Sequence, residues 1–554
     1  MDNFKKIIKK FDGLAWNNIN LLCLEKGKNY FNEFVKFYFM CNTKKLEMIT
    51  IHFSIPESIL PKIDVEHHIF LEDYFLRDLS SKIQKFNEDA HGFNVKSTYG
   101  IIVIQNYDQT ISKRNSFFYN KIDKSLNFYF KIRFPLNNNK IFAKTTIQFV
   151  TKIISLVKES FKKIDSEDFF KRLDIYKKQL AIRKFLDDNE YVCFIANGSI
   201  LPRLGSSDLK DINSIPFLSP KEYELSIKIN NNTIIGMGIK KGITSIIGAA
   251  FSGKSTLLNA IEMGIYNHIF GDGREYCISN ISTIKISSED GKYINNMDLS
   301  LFVNNEAFDS RNFNTLCASG SISQASNLVE AILVNSKLIL IEEDYSALNF
   351  LIKDHKMKEI VHDDSVVPFF DLLPQLVDLG ISIIICSGAM SAFLDYSDQI
   401  IMINKFVCYK FDKNKISLIE VNHDKSKKIK KIKRYLNKKI DLKSLFFKEI
   451  KFLSDKLIKI DDYEVDIKRM TAITNAEKIN TLVIAAIQVL GKPENYSKSL
   501  LENCEEVYSN FFNDNWSKVS LSNFYLYDMF YEEVRIIDIY FFVNRMRGLQ
   551  FERN

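Results

Sequence analysis

Eight consecutive residues, Gly248, Ala249, Ala250, Phe251, Ser252, Gly253, Lys254 and Ser255, fit the pattern G-x-x-x-x-G-K-[ST], and Thr256 follows them. That spacing lets backbone N–H groups and the N-terminus of a following helix converge on the phosphates of a nucleoside triphosphate. Lys254 then reaches the β and γ oxygens, and the Ser255 hydroxyl ligates magnesium. Further along, the apolar run Leu338-Ile339-Leu340-Ile341 ends in Glu342-Glu343-Asp344. Carboxylates at the end of an apolar strand suit the same chemistry, with Glu342 placed to hold the magnesium shell and Glu343 to polarise the attacking water. ATP and Mg2+ are the expected ligands.

These residues need a particular scaffold. Gly242 to Ile247 reads as a short buried strand and Leu257 to Glu262 as the first turns of a helix, so the loop lies between strand and helix as the chemistry requires. Leu338–Ile341 and Ile381–Cys386 read as buried parallel strands with polar residues at their C-terminal ends, where open α/β sheets place their sites. Tyr223 to Met237 alternates in strand fashion around Asn230-Asn231-Asn232, a hairpin leading into the loop. The expected fold class is α/β with a P-loop core. Three domains are expected: an α/β accessory domain over residues 1–165, the nucleotide-binding core over 166–415, and a basic, mainly helical domain over 416–554.

A chain of 554 residues with 46% hydrophobic and 26% charged content buries large cores, which excludes wholesale disorder. The basic start Met1–Lys6 lacks the apolar run of a secretory signal, and no stretch reaches membrane-spanning length. Scattered cysteines without metal-ligand spacing fit reduced thiols, so a cytoplasmic protein is expected. The net charge of +7 is modest, and its distribution matters more. Lys425, Lys427, Lys428, Lys430, Lys431, Lys433, Arg434, Lys438 and Lys439 crowd one window beside Tyr435, and Lys5, Lys6, Lys9 and Lys10 form a smaller cluster. Such density reads either as a contact for the phosphate backbone of RNA or another nucleic acid, or as a solvated face.

The order of the pieces resembles ABC ATPases. Ser346-Ala347-Leu348-Asn349 is similar to the S-A-L-D loop that follows their catalytic glutamate, and Ala318-Ser319-Gly320-Ser321-Ile322-Ser323-Gln324 stands where their L-S-G-G-Q signature stands. With Gly271-Asp272-Gly273-Arg274-Glu275 added, the chain resembles the predicted ABC-class ATPase family of stand-alone, non-transporter proteins. The likeness extends over Asp73–Leu79, Gly198–Arg203, Gly236–Thr256 and Asn544–Leu549. The resemblance implies an N-terminal accessory domain, a central cassette and a small C-terminal domain. One cassette per chain implies a two-fold homodimer, in which Ser319, Gly320, Ser321 and Gln324 of one copy complete the phosphate site of the other. A soluble, slow ATP hydrolase is the leading expectation. A dimeric clamp that binds ATP with negligible turnover is the first rival, and a transporter subunit, unsupported by any membrane segment, the second.

Several departures from the family bear on rate. Glu342 stands where an aspartate is usual, Ala249, Ala250 and Ser252 replace glycines and a histidine, and Ser387-Gly388 occupies the place of the transporter-type switch histidine. No glutamine is identifiable at the place of the Q-loop, and Asn304 and Asn305 are the candidate stand-ins. Arg274 reads either as a phosphate contact or as part of a tight turn with solvated charges, and Asn349 as a further accessory residue. His268 reads as a packing or hydrogen-bonding residue. Phe217 and Tyr223 read as core residues or adenine-stacking groups.

Overall fold

The apolar run at Ile243–Gly248 forms an inner strand of a six-stranded sheet in the computed structural model. Residues 1–19, 29–40, 48–91, 100–205, 207–303, 309–353, 355–361, 365–415, 431–437, 450–454, 456–460, 462–491, 493–513 and 529–553 are described. The sheet order is Ile284–Ile286, Leu338–Glu342, Ser382–Ser387, Ile243–Gly248, Gln399–Asn404 and Val407–Lys410. The first five strands are parallel and the last is antiparallel. Leu338 to Glu342 and Ser382 to Ser387 are buried throughout, which is why they read as unbroken apolar runs rather than alternating ones.

A second sheet is antiparallel: Glu224–Ile229, Asn232–Lys240, Tyr191–Ala196 and Cys277–Ser279. The expected hairpin is present, and Asn230 takes a positive φ in its turn. One core joins this sheet to the parallel one, packing Ile195, Met237 and Ile239 with Ile246, Leu258, Leu340 and Ile384. The helix Lys254–Met263 contributes Leu257, Leu258 and Ile261 to it.

The described chain falls into two compact units. The first holds Met1–Asp174, Glu477–Thr481 and Ser509–Glu533, and the second Ile175–Ala476, Leu482–Tyr508 and Val534–Asn554. In the first, an antiparallel sheet runs in the order Tyr30–Asn32, Val35–Met40, Ile49–Pro56, Ser125–Arg133 and Ile101–Val103, with Phe117–Asn120 also pairing Ser125–Arg133. Helix Ala143–Lys162 buries Phe149, Val150, Ile153, Ile154, Val157 and Phe161, the spacing of an amphipathic helix. Phe161 stacks on Phe75 of helix His68–His91 and on Phe128 of the sheet.

The segment after residue 416, expected to be mainly helical, carries helices Ala476–Gly491, Leu500–Phe512 and Ile536–Asn544 and also a three-stranded antiparallel sheet, Ile450–Ser454, Leu457–Ile460 and Tyr463–Asp466. Short strands such as Leu-Ile-Lys-Ile bury only alternate residues, a faint signal inside a lysine-rich stretch. Among the described residues no helix is long and apolar enough to cross a membrane.

Candidate functional site

Strand register gathers the candidate residues at one end of the parallel sheet. Ile246 lies beside Cys386, which lies beside Glu342, and Ile247 lies beside Ser387. Neighbouring strands are ~4.8 Å apart, so Glu342 starts about 10 Å from the strand that enters the phosphate loop. The loop, the turn after Ser387 and the Glu342-Glu343 pair therefore share the C-terminal edge of three adjacent strands.

The loop backbone explains which residue types it accepts. Gly253 takes φ 107° as it enters the helix, a conformation that side chains rarely tolerate, and a Cβ at Gly248 would lie 2.4 Å from the carbonyl oxygen of Ile403. Ala249, Ala250 and Ser252 keep negative φ, so the loop accommodates them in place of glycine. Phe251 does take a positive φ of 60° and is 96% exposed, so the loop tip presents an aromatic ring to solvent. Ser252 is buried. Lys254 Nζ donates to the carbonyls of Gly248 and Ala249, both at 2.8 Å, curling over the loop that it serves. Ser255 is exposed on the first helical turn and Thr256 is half-buried.

The two glutamates have different surroundings. Glu342, the last residue of its strand, is buried, and its Oε2 lies 2.7 Å from Nζ of Lys285 on the adjacent edge strand. The same ammonium lies 5.4 Å from the ring centroid of Tyr345. Glu343 begins a short 3-10 turn, where its Oε2 accepts from the Ser387 hydroxyl at 2.7 Å, Gly388 N–H at 2.8 Å and Ala389 N–H at 3.0 Å. Partial burial pushes the Glu343 carboxyl up, but the Ala389 N–H, the Ser387 hydroxyl and the Gly388 N–H outweigh it and hold it below the usual carboxylate range. The Ser255 hydroxyl and the Glu342 carboxylate are a hard-oxygen pair of the kind that Mg2+ takes, and a metal held there would share Glu342 with Lys285.

The small-residue segment is the start of a helix. Helix Gly320–Leu333 begins directly after Ser319, which is its N-cap residue, eight positions before the helical pattern becomes apolar at Leu328. The intervening polar side chains are buried and paired, so periodicity hides the first two turns. Gln324 donates to the Ser346 hydroxyl and accepts from Ala347 N–H, both at 2.9 Å, and Ser321 donates to Asn349 Oδ1 at 2.6 Å. The segment and the Ser346–Asn349 run are thus fastened together within one chain. Ser321 and Gln324 are buried in that joint, whereas Ser319 is exposed at the helix N-terminus.

Other candidates have structural partners. Arg274 is buried and its guanidinium donates through Nε to the carbonyl of Leu201 at 2.9 Å, with burial pulling its pKa down to about 10. It is part of a buried turn, in which Asp272 pairs with Arg203 at 2.7 Å and His268 at 2.8 Å, rather than a turn with solvated charges. Glu275 accepts from Gly271 N–H. Phe217 lies in the core, and Tyr223 bonds the backbone of Ile400. Asn304 and Asn305 lie outside the described residues, as do Lys425, Lys427, Lys428, Lys430, Lys438 and Lys439. Within the basic window, Lys431 donates to Asn335, Lys433 pairs with Glu502 at 2.8 Å, and buried Arg434 donates to the carbonyl of Asn295 at 2.7 Å. The sequence reading missed Lys285 and the bonds of Ser387. Lys285, between Ile284 and Ile286, carried only the faint signal of a cation inside a short apolar strand.

Residues 165–439 match the family model described as the ABC_ATPase P-loop domain. The uncharacterized protein MJ1628 of Methanocaldococcus jannaschii is 33% identical over 226 residues, covering 38% of this chain and 50% of its own length. The chain thus spans about half the length of this curated relative. Solved structures that resemble the chain include cbiO1 from Clostridium perfringens, part of the ABC transporter complex cbiONQ, with 15% identity and a TM-score of 0.25 over 40% of this chain and 87% of that one. Another is MJ1267, an ATP-binding cassette of an ABC transporter in its ADP conformation, with 16% identity and a TM-score of 0.25 over 40% of this chain and 90% of that one.

Proposed function

This chain belongs to the ABC_ATPase P-loop family through residues 165–439, and on that premise we propose that it is a cytoplasmic ATPase that hydrolyses MgATP slowly at a head-to-tail homodimer interface. Gly248–Thr256 wraps the triphosphate, and Lys254 exchanges the Gly248 and Ala249 carbonyls for phosphate oxygens. Ser255 and Glu342 would hold Mg2+, which neutralises charge developing on the β and γ phosphates. Glu343 orients the attacking water and takes its proton. Ser319 and the amides at the start of helix Gly320–Leu333 reach the γ-phosphate bound by the second copy. Exposed Phe251 on the loop tip and exposed Leu348 beside Asn349 give the apolar contacts for that closure. The closing motion acts on a nucleic acid, RNA in the first instance, through the lysines of the basic window Lys425–Lys439, in which buried Arg434 takes no part.

The observation that carries the hydrolytic reading is the fixed carboxylate of Glu343, held by the turn whose Gly388 lies against Lys254: a Cβ at Gly388 would be 3.5 Å from Lys254 Nζ. An oriented base beside the phosphate lysine is what water activation needs. Its test is phosphate release from MgATP by wild type beside Glu343→Gln, each with and without single-stranded RNA. Glutamate-dependent release is expected, stimulated by RNA. Release indifferent to RNA removes the RNA proposal and leaves the ATPase. No glutamate-dependent release favours the ATP-gated clamp, a second reading supported by the Lys285 pair on Glu342 and by the weakened basicity of Glu343.

A further inference from the structure

Three hydrogen-bond donors converge on a single oxygen of Glu343. The hydroxyl of Ser387 and the N–H groups of Gly388 and Ala389 all reach Oε2, at 2.7, 2.8 and 3.0 Å. Ser387 is buried as the last residue of its strand, and its hydroxyl also meets the backbone of Met390, 2.8 Å from the carbonyl and 3.0 Å from the N–H. The hydroxyl has one proton and two acceptors in reach, and the ionised Glu343 carboxylate is a stronger acceptor than the Met390 carbonyl, so the hydroxyl accepts from Met390 N–H and donates to Glu343. A rotor fixed in this way fixes in turn what it donates to.

The asymmetry has a chemical consequence. A carboxylate restrained through one oxygen presents the other in a defined direction, and Oε1 is the oxygen that none of these three donors touches. Resting on the reading of Glu343 as the base, we infer that Ser387 is a positioning residue for hydrolysis: with the amides of Gly388 and Ala389 it aims Oε1 of Glu343 at the attacking water. The device works on the base and not on the γ-phosphate. A Cβ at Gly388 would lie 3.5 Å from Lys254 Nζ and 3.7 Å from the Gly248 carbonyl oxygen, so the turn that holds the base runs close beside the phosphate loop.

Ser387→Ala removes one charge-assisted hydrogen bond and leaves both amides. The expected outcome is a fall of about tenfold in kcat with the KM for ATP unchanged within about twofold, since the bond orients the base and does not touch the nucleotide. Ser387→Cys, nearly isosteric with a weak donor, falls between the two and serves if the alanine variant does not fold. The decisive measurement is a double-mutant cycle in the full-length chain against Glu343→Asp, whose shorter side chain withdraws the carboxylate from the turn. On that background Ser387→Ala should change kcat by less than about twofold, whereas a purely structural serine costs the same on both backgrounds. Equal losses on both backgrounds, or a folded Ser387→Ala or Ser387→Cys protein with wild-type kcat, overturn the inference. Wild-type turnover by Glu343→Gln overturns instead the reading of Glu343 on which it rests.

Discussion

Two groups of charged residues, one in each unit, use the same side chains to opposite ends. In the first unit Asp73, Asp108 and Glu532 face Arg77, Arg114 and Lys478 in a closed ionic cluster. Arg114 lies 2.7 Å from Asp73 and 3.5 Å from Glu532, and Lys478 lies 3.2 Å from Asp108 and 3.5 Å from Glu532. Arg114, Lys478 and Glu532 are almost wholly buried. Burial alone would raise the Asp108 carboxyl, but Lys478, Thr110 and Arg114 hold it well below the usual range. In the second unit, among the described residues, Lys254 meets only carbonyls in its hydrogen bonds, and Glu343 accepts only from neutral donors. Cations and anions that neutralise one another fix a structure. Cations and anions kept apart by neutral partners stay available to a charged substrate and a water.

The sharpest way to break this comparison is to change one member of each group and measure both activity and stability. Glu343→Gln is expected to lower kcat by about 10²–10⁴-fold while the unfolding midpoint moves far less than in the ionic cluster, because the carboxamide oxygen still accepts from the turn and only the charge-assisted part of those bonds is lost. A midpoint that moved as far as in the ionic cluster would make Glu343 a structural residue like those of the cluster. Arg114→Ala is expected to do the reverse. Removing one partner leaves Asp73 and Glu532 buried without it, at a cost of about 3–5 kcal/mol in denaturant unfolding, with kcat per folded molecule unchanged. Loss of kcat in the folded fraction would end the division of labour.

The same contrast governs what was legible in the sequence. The phosphate loop and its strands were readable because their chemistry is local: a fixed spacing of glycines, lysine and hydroxyl between an apolar run and a helix. Glu342 and Glu343 were readable because they end such a run. Pairings across sequence were not. Ser387 could be seen to lack an imidazole, but nothing near it said that its hydroxyl would reach Glu343, forty-four positions away. Gln324 read as a member of a phosphate-binding segment, and nothing in its sequence neighbourhood told that it also bolts that segment to Ser346-Ala347, where a buried amide satisfies both its donor and its acceptor. The ionic cluster was invisible for the same reason, since Asp73 and Glu532 stand at opposite ends of the chain.

Acid titration separates the units by a smaller effect. His52, on the sheet of the first unit, is buried and stacked between Tyr38 and Tyr129, and burial pulls its pKa down from 6.5 to about 3. Between those values the unfolded chain binds a proton that the folded one refuses. The stability from neutral His52 is therefore fully present above pH 6.5 and is lost as pH falls toward 3, by at most about 1.4 kcal/mol per pH unit. Unfolding measured from pH 7 to 5 should show this slope in wild type and a shallower one in His52→Gln, whatever the variant costs at pH 7. Identical slopes would place the acid sensitivity elsewhere.

Lys285 tests the one place where the nucleotide site behaves like the ionic cluster. Its ammonium lies 2.7 Å from Glu342 Oε2, so a magnesium ion at this carboxylate must share it with a resident cation. In Lys285→Met the methylene stem is kept and the charge removed, leaving Glu342 to the metal alone. The Mg2+ concentration that half-saturates hydrolysis should fall by about two- to fivefold, and binding of Mn2+ with ADP, followed by electron paramagnetic resonance, should tighten by the same factor. Without metal the variant should be less stable than wild type, because Glu342 is buried and has lost its partner, and added metal should restore part of the difference. If metal affinity fell instead, Lys285 would be holding Glu342 in the ligating position, and the pair would belong to the site's machinery rather than compete with it.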